Sequence, residues 1–335
     1  MKDEIISKDL ETIKSVVKQD AFEEKKVLVT GGAGFIGSWL CDVLFEFGAD
    51  VTALDDFSTG RMKNIEHLKK KSFKLVKSDV CKYQSAEKFD FILHMAGHAS
   101  PDEYQAHPIE TLQTSSLGTF AMAELARKTD ATLLFASTSE TYGDTEVIPT
   151  PETYWGKVNP IGPRSCYDEG KRFAEALLMA YKKQYGLDVR IPRIFNSYGP
   201  RLREDGLYGR AMSRFIQQAI TNQPITVYGN GKQTRSFCYI TDTVTGLMLL
   251  TITPKAKGEV VNIGSSQEKT IFELATKIKD ITKCKSEITF HPLPMDDPKR
   301  RCPDINKLER LVNWKPTVNF EEGLKETINW FKLRV

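Results

Sequence analysis

The feature that most constrains the fold is a glycine-rich turn between an apolar strand and a helix. Residues 27–30 form the run Val-Leu-Val-Thr, and Gly31, Gly34 and Gly37 follow in a G-x-x-G-x-x-G pattern. Residues 35–47 then carry apolar side chains at helical spacing. Glycines at this spacing permit a tight turn, let the backbone approach a phosphate, and let the helix pack closely on the strand. The pattern therefore predicts a strand–turn–helix unit suited to a dinucleotide.

The alternation of strand and helix continues along the chain. Short apolar runs predict further strands at 51–54, 73–76, 89–94, 132–136 and 188–191, and longer amphipathic stretches predict helices at 112–129 and 167–185. Strands that alternate with helices form a parallel sheet covered on both faces, with ligands beyond the carboxyl ends of the strands. We therefore expect an α/β fold with a Rossmann-type, doubly wound parallel sheet.

The length of 335 residues and a change in composition along the chain predict more than one lobe. Residues 1–25 carry apolar side chains at helical spacing and predict an amphipathic helical extension. Residues 26–196 form the predicted dinucleotide-binding domain. Residues 197–335, rich at first in Gly, Pro and Arg, predict mainly a smaller α/β substrate lobe. The two are expected to interleave, because parts of 235–275 return to the first domain and 258–263 has the pattern of one more sheet strand.

Composition excludes several classes of function. The net charge of +3 gives no reason to expect nucleic acid as a partner, and no apolar run is long enough to cross a membrane. The amino terminus lacks the apolar core of a signal peptide, and the six cysteines are scattered, so we expect a cytoplasmic protein with reduced thiols. His98 and His107 have no third ligand at suitable spacing, so no metal site is predicted.

An acidic residue follows the second predicted strand, about twenty residues after the glycine turn. This residue, Asp55, can accept hydrogen bonds from both hydroxyls of a ribose and would repel a 2′-phosphate, which favours NAD over NADP, although Arg61 keeps NADP open. Asp79 and Val80 follow the third strand and can reach the adenine, with a plain turn as the alternative for Asp79. The other predicted cofactor-binding residues lie in the turns after the first, second and fourth strands: Phe35, Ile36, Asp56, Ser58, Gly60, Met95 and Ala96.

Tyr167 and Lys171 lie one turn apart on a predicted helix and form a candidate proton-transfer pair. A phenol has a pKa of about 10 and is a poor base at neutral pH. Lowering it by about three units takes roughly 4 kcal/mol, which two nearby cations, the lysine and an oxidised nicotinamide ring, can supply. Tyr-x-x-x-Lys alone is common on helices, and its combination with the glycine turn makes it informative.

A polar segment follows the strand that ends at residue 136, at the ligand edge of the sheet. Thr138 can donate a hydrogen bond to an oxygen forming on the substrate, and Ser139 and Glu140 are placed to handle a second proton. The alternative is that a Ser or Thr before a Glu simply caps a helix.

Longer blocks of sequence carry a resemblance to a known family. The chain resembles the extended short-chain dehydrogenase/reductases of the nucleotide-sugar branch from about residue 27 to its end, and within that branch the members that decarboxylate UDP-glucuronate. The blocks that carry this resemblance are 136–144, 154–156, 159–172, 193–196, 233–235 and 296–305.

The resemblance implies an activity and residue roles. Tyr167 would deprotonate the 4-hydroxyl of UDP-glucuronate while NAD takes the hydride, and Lys171 would tune Tyr167 and hold the nicotinamide ribose. The UDP-4-keto sugar would then lose carbon dioxide, since it is a β-keto acid. Glu140, Ser139 and Arg301 match positions implicated in decarboxylation and reprotonation. NADH would return the hydride, giving UDP-xylose, so the cofactor is recycled and stays bound.

The resemblance also implies substrate-binding residues in the second lobe. Asn196 would bind a phosphate, and Tyr228 lies where the family holds the base and ribose. Arg210, Arg235 and Arg301 would form charge-assisted bonds to the diphosphate and the carboxylate, each contributing roughly 1.5–3 kcal/mol.

The chain departs from the family pattern at three places. Residues 96–104 replace the usual proline-rich Ala-Ser-Pro loop after the fourth strand, Ser115 stands where the family usually has asparagine, and the chain is longer by about two residues around 207–209. The first of these loops lines the sugar, so it bears on the substrate more than on the fold.

Other members of the branch remain as alternatives, and so does a different class of protein. The first alternative is a nucleotide-sugar 4,6-dehydratase or 4-epimerase, and the second is a catalytically idle NAD-bound sensor, against which intact Thr138, Tyr167 and Lys171 argue. The family pairs the helices at 112–129 and 167–185 between subunits as a four-helix bundle. The resemblance therefore implies a homodimer.

Overall fold

The structure is a computed structural model that describes residues 2–203 and 210–334. Its strands, in chain order, are β1 Lys26–Thr30, β2 Asp50–Asp55, β3 Phe73–Lys77, β4 Phe91–His94, β5 Thr132–Phe135, β6 Ser137–Thr138, β7 Val189–Ile194, β8 Ser197–Tyr198, β9 Ile225–Tyr228, β10 Thr234–Ser236, β11 Cys238–Tyr239, β12 Val260–Ile263, β13 Glu268–Thr270 and β14 Ile288–His291. Its α-helices are α1 Lys2–Lys14, α2 Phe35–Glu46, α3 Pro101–Ala106, α4 Pro108–Gln113, α5 Thr119–Thr129, α6 Ser165–Tyr185, α7 Ala211–Ile220, α8 Ile240–Ile252, α9 Ile271–Thr282, α10 Asn306–Val312 and α11 Phe320–Lys332.

One parallel sheet organises the molecule. Within the described residues it has eight strands, in the order β12–β7–β5–β4–β1–β2–β3, with β6 pairing to β7 beyond β5. The strand order reverses between β1 and β4, which are both paired in parallel. In such sheets the crevice at the carboxyl ends of the strands, at the reversal point, is where ligands bind. The expected Rossmann-type, doubly wound fold is confirmed.

The glycine turn joins β1 to α2 because its residues tolerate conformations that other residues do not. Gly31 has a φ of +64°, and Gly34 is the N-cap residue that precedes α2. A β-carbon on Gly37 would overlap the carbonyl oxygen of Gly31. Because α2 follows the end of β1 after this short turn, its amino end lies at the carboxyl edge of the sheet. The first turn of α2 has no acidic side chain.

Apolar side chains cover both faces of the sheet. One buried cluster contains Leu28, Leu133 and Leu178, and a larger one runs from Trp39 on α2 to Trp330 on α11. Both tryptophans are fully buried, and burying a large apolar side chain stabilises the fold by about 1.5–3 kcal/mol. The larger cluster joins the sheet to the carboxyl-terminal part of the chain.

The carboxyl-terminal part adds small sheets beside the main one. β9 pairs with β14 and β8 with β11, both in parallel, and β10 pairs with β13 in antiparallel fashion. β12 returns to the main sheet and pairs with β7, which is the interleaving predicted from residues 258–263. No helix in the described ranges is both long and apolar enough to span a bilayer.

The amino-terminal helix packs on the body of the protein. Ile13 is fully buried with the larger cluster, as is Val17 beyond the end of α1. The Asp9 carboxylate accepts a hydrogen bond of 2.8 Å from the Tyr239 hydroxyl, and burial raises the pKa of Asp9 to about 7. The helix ends at Lys14, and the chain after it buries Val17 and Phe22.

Several element boundaries differ from the sequence prediction, and two of the differences have a visible structural cause. The helix predicted at 112–129 begins earlier, with α4, and changes to a five-residue π-helical segment at Thr114–Gly118 before α5. The side chain of Ser115 in that segment is buried against Gly170 of α6, where a β-carbon would come within 3.1 Å of it. β7 continues three residues past 191, because β12 and β6 both pair with its end.

Candidate active site

A cavity of about 380 Å³ opens at the carboxyl ends of the strands, between the sheet and the carboxyl-terminal part. The turns after β1–β4 form one half of it, and the predicted residues that line this half are Gly31, Gly34, Phe35, Ile36, Gly37, Asp55, Asp56, Ser58, Asp79, Val80, Met95 and Ala96. The other half is lined by Thr138, Ser139, Glu140, Tyr167, Lys171, Asn196, Arg210, Tyr228, Arg235 and Arg301. The lining of this one cavity therefore includes every predicted site residue except Gly60.

Gly60 contributes by packing rather than by lining the cavity. A β-carbon at Gly60 would lie 2.5 Å from the Asp55 carboxylate, so only glycine leaves room for that side chain. The Asp55 carboxylate accepts hydrogen bonds of 2.8 Å from the amides of Ala33 and Phe57, and burial raises its pKa. Each oxygen retains a second lone pair. Asp55 thus braces the glycine turn and still presents acceptors to the cavity.

Two further aspartates shape the same half of the cavity. Asp56 accepts hydrogen bonds from the amide and the hydroxyl of Ser58, at 2.8 and 2.6 Å. Asp79 accepts one from the Cys81 amide at 2.9 Å, so it forms the turn proposed as the alternative and also lines the cavity. Val80 lies beside it.

The residues of this half fit a dinucleotide. Gly31 approaches the strand end so closely that a β-carbon would lie 3.0 Å from the backbone of Ala96. The free amides at the start of α2 face the cavity, where they favour a diphosphate. Asp55 stands at the end of β2 with acceptors for ribose hydroxyls.

The candidate proton-transfer pair, Tyr167 and Lys171, lies on α6 at the junction of the two halves. Tyr167 is 7% exposed, and burial raises the pKa of its phenol despite the opposing Thr138 hydroxyl, Arg210 and Arg164. Lys171 donates a 2.8 Å hydrogen bond to the Ala136 carbonyl, and its Nζ lies 5.9 Å from the centre of the Tyr167 ring. Burial lowers the pKa of Lys171 to about 8. At these positions the lysine alone does not outweigh the effect of burial on the tyrosine.

Tyr104, on α3, packs flat against the catalytic tyrosine candidate. The ring centres of Tyr104 and Tyr167 are 5.1 Å apart, with 3° between the planes. The Tyr104 hydroxyl is buried, has no hydrogen-bond partner among the described residues, and has a pKa raised by burial. This stacking holds the Tyr167 ring in one orientation.

A buried carboxylate lies between two arginines beside this pair. Glu140 forms ion pairs with Arg301 and with Arg164, and the three side chains are at most 14% exposed. The Ser139 hydroxyl lies 3.4 Å from the Arg301 guanidinium, whose pKa burial lowers to about 10. Asp168 is 3.9 Å from Arg164, and burial raises the pKa of its carboxyl to about 7. The group places two guanidinium groups around one buried carboxylate, Glu140, at one end of the cavity.

Thr138 both caps a helix and lines the cavity, as the two alternatives for this residue predicted. It is the N-cap residue of the short 3₁₀ helix Ser139–Tyr142, and its hydroxyl accepts a 3.3 Å hydrogen bond from the Glu140 amide. The same hydroxyl lines the cavity and interacts with Tyr167. The cap therefore orients the hydroxyl beside the phenol.

The residues predicted to bind the substrate line the half of the cavity opposite the dinucleotide half, which we call the far half. The Asn196 amide nitrogen is buried and has no partner among the described residues, so it can donate to a ligand. Arg235 pairs with both oxygens of Asp297, at 3.0 and 3.1 Å. The Tyr228 ring lies 4.9 Å from the Arg214 guanidinium. Arg210 lies just before α7, with a φ of +54°.

Two remaining expectations concern an insertion at 207–209 and a possible metal site at His98 and His107. The proposed insertion at 207–209 lies outside the described residues. His98 and His107 have ring centres 5.7 Å apart, and no group of three metal-ligating side chains occurs in ranges 2–203 and 210–334.

Comparison with known proteins agrees with this geometry. The sequence model of the family described as GDP-mannose 4,6 dehydratase matches residues 28–327. A relative from Danio rerio, named UDP-glucuronic acid decarboxylase 1, is 48% identical over 310 residues, which are 92% of this chain and 73% of that protein. The chain belongs to the extended short-chain dehydrogenase/reductase family.

Solved structures place this short-chain dehydrogenase/reductase among sugar-nucleotide enzymes. An epimerase from Methanothermobacter thermautotrophicus is 29% identical, with a TM-score of 0.87 and 96% of each chain covered. A UDP-glucuronic acid 4-epimerase from Bacillus cereus, crystallised with UDP-glucuronic acid and NAD, is 28% identical, with a TM-score of 0.84, over 92% of this chain and all of that one.

The site of this family member contains residues that sequence reasoning did not assign. Arg164 pairs with Glu140, Tyr104 stacks on Tyr167, and Asp297 holds Arg235. The sequence could have predicted a site role for Arg164, because this residue lies one turn before Tyr167 in the block 159–172. Tyr104 and Asp297 had no such signal, since they meet their partners only through the tertiary fold.

Proposed function

We propose that the protein is an NAD-dependent UDP-glucuronate decarboxylase that forms UDP-xylose through a UDP-4-keto sugar. The observation that carries this proposal is the buried group of Arg164, Glu140 and Arg301 beside Tyr167 and Thr138. A base next to positive charge suits a sugar whose hydroxyl is oxidised and whose neighbouring carboxylate must be held. The 48% identity to a protein named UDP-glucuronic acid decarboxylase 1 supports the same activity.

The dinucleotide half of the cavity is assigned to NAD, which when bound accepts the hydride from carbon 4 and later returns it. Asp55 and the amides at the start of α2 hold the ribose and the diphosphate. A 2′-phosphate would meet the Asp55 carboxylate, which favours NAD over NADP. The related epimerase crystallised with NAD supports this assignment.

Tyr167 removes the proton from the 4-hydroxyl. Burial raises the pKa of Tyr167, although Thr138, Arg210 and Arg164 oppose it. A bound oxidised nicotinamide would supply the further positive charge that lowers this pKa, and Lys171, whose Nζ lies 5.9 Å from the ring centre, would add to it. Thr138 donates to the oxygen at carbon 4 as it becomes a ketone. The same two hydroxyls face this oxygen when it carries negative charge in the next step.

Loss of carbon dioxide follows from the position of the ketone. The carboxylate is β to it, so the bond between carbons 5 and 6 breaks and its electrons pass to the enolate over carbons 4 and 5. We assign Arg301 to the carboxylate before that step. Glu140 and Ser139 are assigned to the proton that then reaches carbon 5, and Arg164 keeps Glu140 in place when Arg301 turns to the substrate.

The far half of the cavity is assigned to the UDP portion of the substrate. The free Asn196 amide suits a phosphate oxygen, and Arg210 and Arg235 add charge-assisted donors. Tyr228, held against Arg214, offers an aromatic face to the base and ribose.

A second candidate is 4-epimerisation of the same acidic sugar, which the similarity to the UDP-glucuronic acid 4-epimerase favours. The two activities differ in product, because epimerisation keeps the carboxylate. Incubation of the protein with UDP-glucuronate and no added NADH, followed by NMR of the products, separates them. We expect UDP-xylose and carbon dioxide; a product that retains the carboxylate, or a dehydrated sugar from a wider panel, would show that the assignment is wrong.

We further propose the domain division and the assembly. Residues 26–196 bind the cofactor and 197–335 mainly bind the substrate, while 1–25 form an extension packed on the body. The helical segment 108–129 and α6 expose apolar side chains that suit a homodimer through a four-helix bundle, namely Ile109, Leu112, Leu117, Phe120 and Phe173. The six cysteines are free thiols, in keeping with a cytoplasmic location.

A further inference from the structure

His98 stands in the loop after β4, where the family usually has its Ala-Ser-Pro sequence. The side chain is 8% exposed and lines the dinucleotide half of the cavity. It lies against the loop after β2, with its Nε2 atom 3.4 Å from the Ser58 hydroxyl. An ionisable ring is therefore built into the wall of the cavity.

Both nitrogens of this ring face hydroxyl groups whose protons are already donated elsewhere. The Nδ1 atom of His98 is 3.2 Å from the Thr111 hydroxyl, which donates to the His107 carbonyl at 2.7 Å. The Ser58 hydroxyl, which faces Nε2, donates to Asp56 at 2.6 Å. A neutral imidazole has one N–H and satisfies one of these acceptors, whereas the protonated ring donates to both. The surroundings of His98 thus suit the cation in hydrogen bonding.

The charges that line the dinucleotide half of the cavity also favour the protonated form of His98. The described residues that line it belong to 31–37, 54–59, 78–80 and 95–101, and none of them is a lysine or arginine. They include three aspartates. A dinucleotide brings a diphosphate with negative charge into this half. His98 is the one basic side chain among these lining residues that can meet it.

We propose that His98 is protonated when the dinucleotide binds and that the charge of its ring stabilises the ribose–diphosphate portion, so that cofactor binding takes up a proton. The inference rests on the NAD cofactor of the proposed function. The ring is placed as a binding residue and takes no part in the chemistry at carbon 4.

The charged groups around His98 explain why the proton arrives with the cofactor. Burial and the neighbouring His107 lower the pKa of His98, and this outweighs Asp56, Glu103 and Glu110, which raise it. The ring is therefore mainly neutral near neutral pH in the protein alone, and Ser58 can then turn its hydroxyl to Nε2. A phosphate anion adds the negative charge that favours the protonated ring.

The test is the affinity of the NAD-free protein for NAD, measured by calorimetric titration from about pH 5.5 to about pH 8, the range in which histidines titrate. Binding that takes up a proton weakens as pH rises, so we expect the Kd of the unmodified protein to increase about five- to tenfold over this range. Titration in two buffers of different ionisation heat gives the number of protons taken up. His98→Gln, which keeps a hydrogen-bonding side chain but does not titrate, should abolish both effects.

His107→Gln is the matched control, because it removes the exposed neighbouring imidazole and leaves the cavity wall intact. It should keep the pH dependence and the proton uptake. Asp55 acts in the opposite direction, since its carboxylate must be ionised to accept from ribose, so its titration cannot imitate the expected trend.

The outcomes separate this inference from the proposed function. An unchanged Kd across the pH range with no proton uptake overturns the role of His98 alone, as does a His98→Gln protein that keeps the wild-type trend. Failure to bind NAD at any pH overturns the cofactor assignment as well. Should His98→Gln not fold, His98→Asn takes its place, because asparagine does not titrate either and the other ionisable groups of the cavity, such as Lys171, stay unchanged.

Discussion

Replacement of Glu140 by glutamine tests the acidic group at the centre of the site. The change keeps the shape of the side chain and removes the charge between two arginines, Arg164 and Arg301, whose side chains are 7% and 5% exposed. Removing one member of a buried ion pair costs about 3–5 kcal/mol of stability, because the remaining charge is left uncompensated. Here two guanidinium groups lose their shared partner, so we expect Glu140→Gln to lower the free energy of unfolding by about that amount.

The same variant should slow one chemical step selectively. If Glu140 moves the proton at carbon 5, its loss removes general acid–base catalysis, which contributes about 10²–10⁴-fold in rate, or roughly 3–5 kcal/mol in barrier. Oxidation at carbon 4 depends on Tyr167 and continues. We therefore expect turnover, and with it steady-state carbon dioxide release, to fall about a hundredfold or more while NAD affinity changes little.

The assay follows labelled carbon dioxide from UDP-glucuronate and, in parallel, the ultraviolet absorbance of reduced nicotinamide on the protein. That absorbance should build up in Glu140→Gln, because the step after oxidation is slowed. Glu146→Gln is the control: its carboxylate pairs with Lys157 at the surface, where an ion pair is worth about 0–1 kcal/mol. A Glu140→Gln protein with wild-type carbon dioxide release would refute the role of Glu140 and leave it as part of the 3₁₀ turn.

Three further substitutions test other parts of the account. Tyr167→Phe should abolish turnover while NAD still binds in a calorimetric titration; retained turnover would contradict its role as base. Asp55→Asn should weaken NAD binding about tenfold to a hundredfold, roughly 1.5–3 kcal/mol, and raise the affinity for NADP relative to NAD; an unchanged ratio would show that Asp55 serves only the turn. The folded-state pKa of Asp9 is raised from 3.8 to about 7, so the protein loses stability as pH rises through that window, by up to about 4 kcal/mol. Asp9→Asn should therefore be more stable than the wild type in urea at about pH 8 and equal to it at about pH 4; an equal difference at both would contradict this origin.

Much of the fold was predictable because its signals are local. The apolar run before Gly31 and the helix after it define β1 and α2, and Asp55 marks the end of β2. The π-helical segment Thr114–Gly118 was not predictable, because its Thr, Ser and Gly residues have a low helical preference but do not specify a π-helical hydrogen-bond pattern. It arises where Ser115 packs on α6.

The candidate site likewise contains some contacts that the sequence predicts and others that only the tertiary fold creates. Tyr167 and Lys171 are one turn apart, so their proximity follows from helix geometry. The pairing of Glu140 with Arg301 joins residues 161 positions apart, and the stacking of Tyr104 on Tyr167 joins two helices that are distant in sequence. Such contacts depend on how the carboxyl-terminal part closes over the sheet. Resemblance to a family assigned Arg301 a role, whereas periodicity and spacing alone did not.

The central claim is that one buried site oxidises carbon 4, releases the neighbouring carboxylate and restores the hydrogen that was taken. Turnover of UDP-glucuronate in heavy water, with deuterium located by NMR, tests it most directly. The account predicts UDP-xylose with one deuterium at carbon 5 and the original hydrogen retained at carbon 4. Deuterium at carbon 4, or a product that still holds its carboxylate, would contradict it.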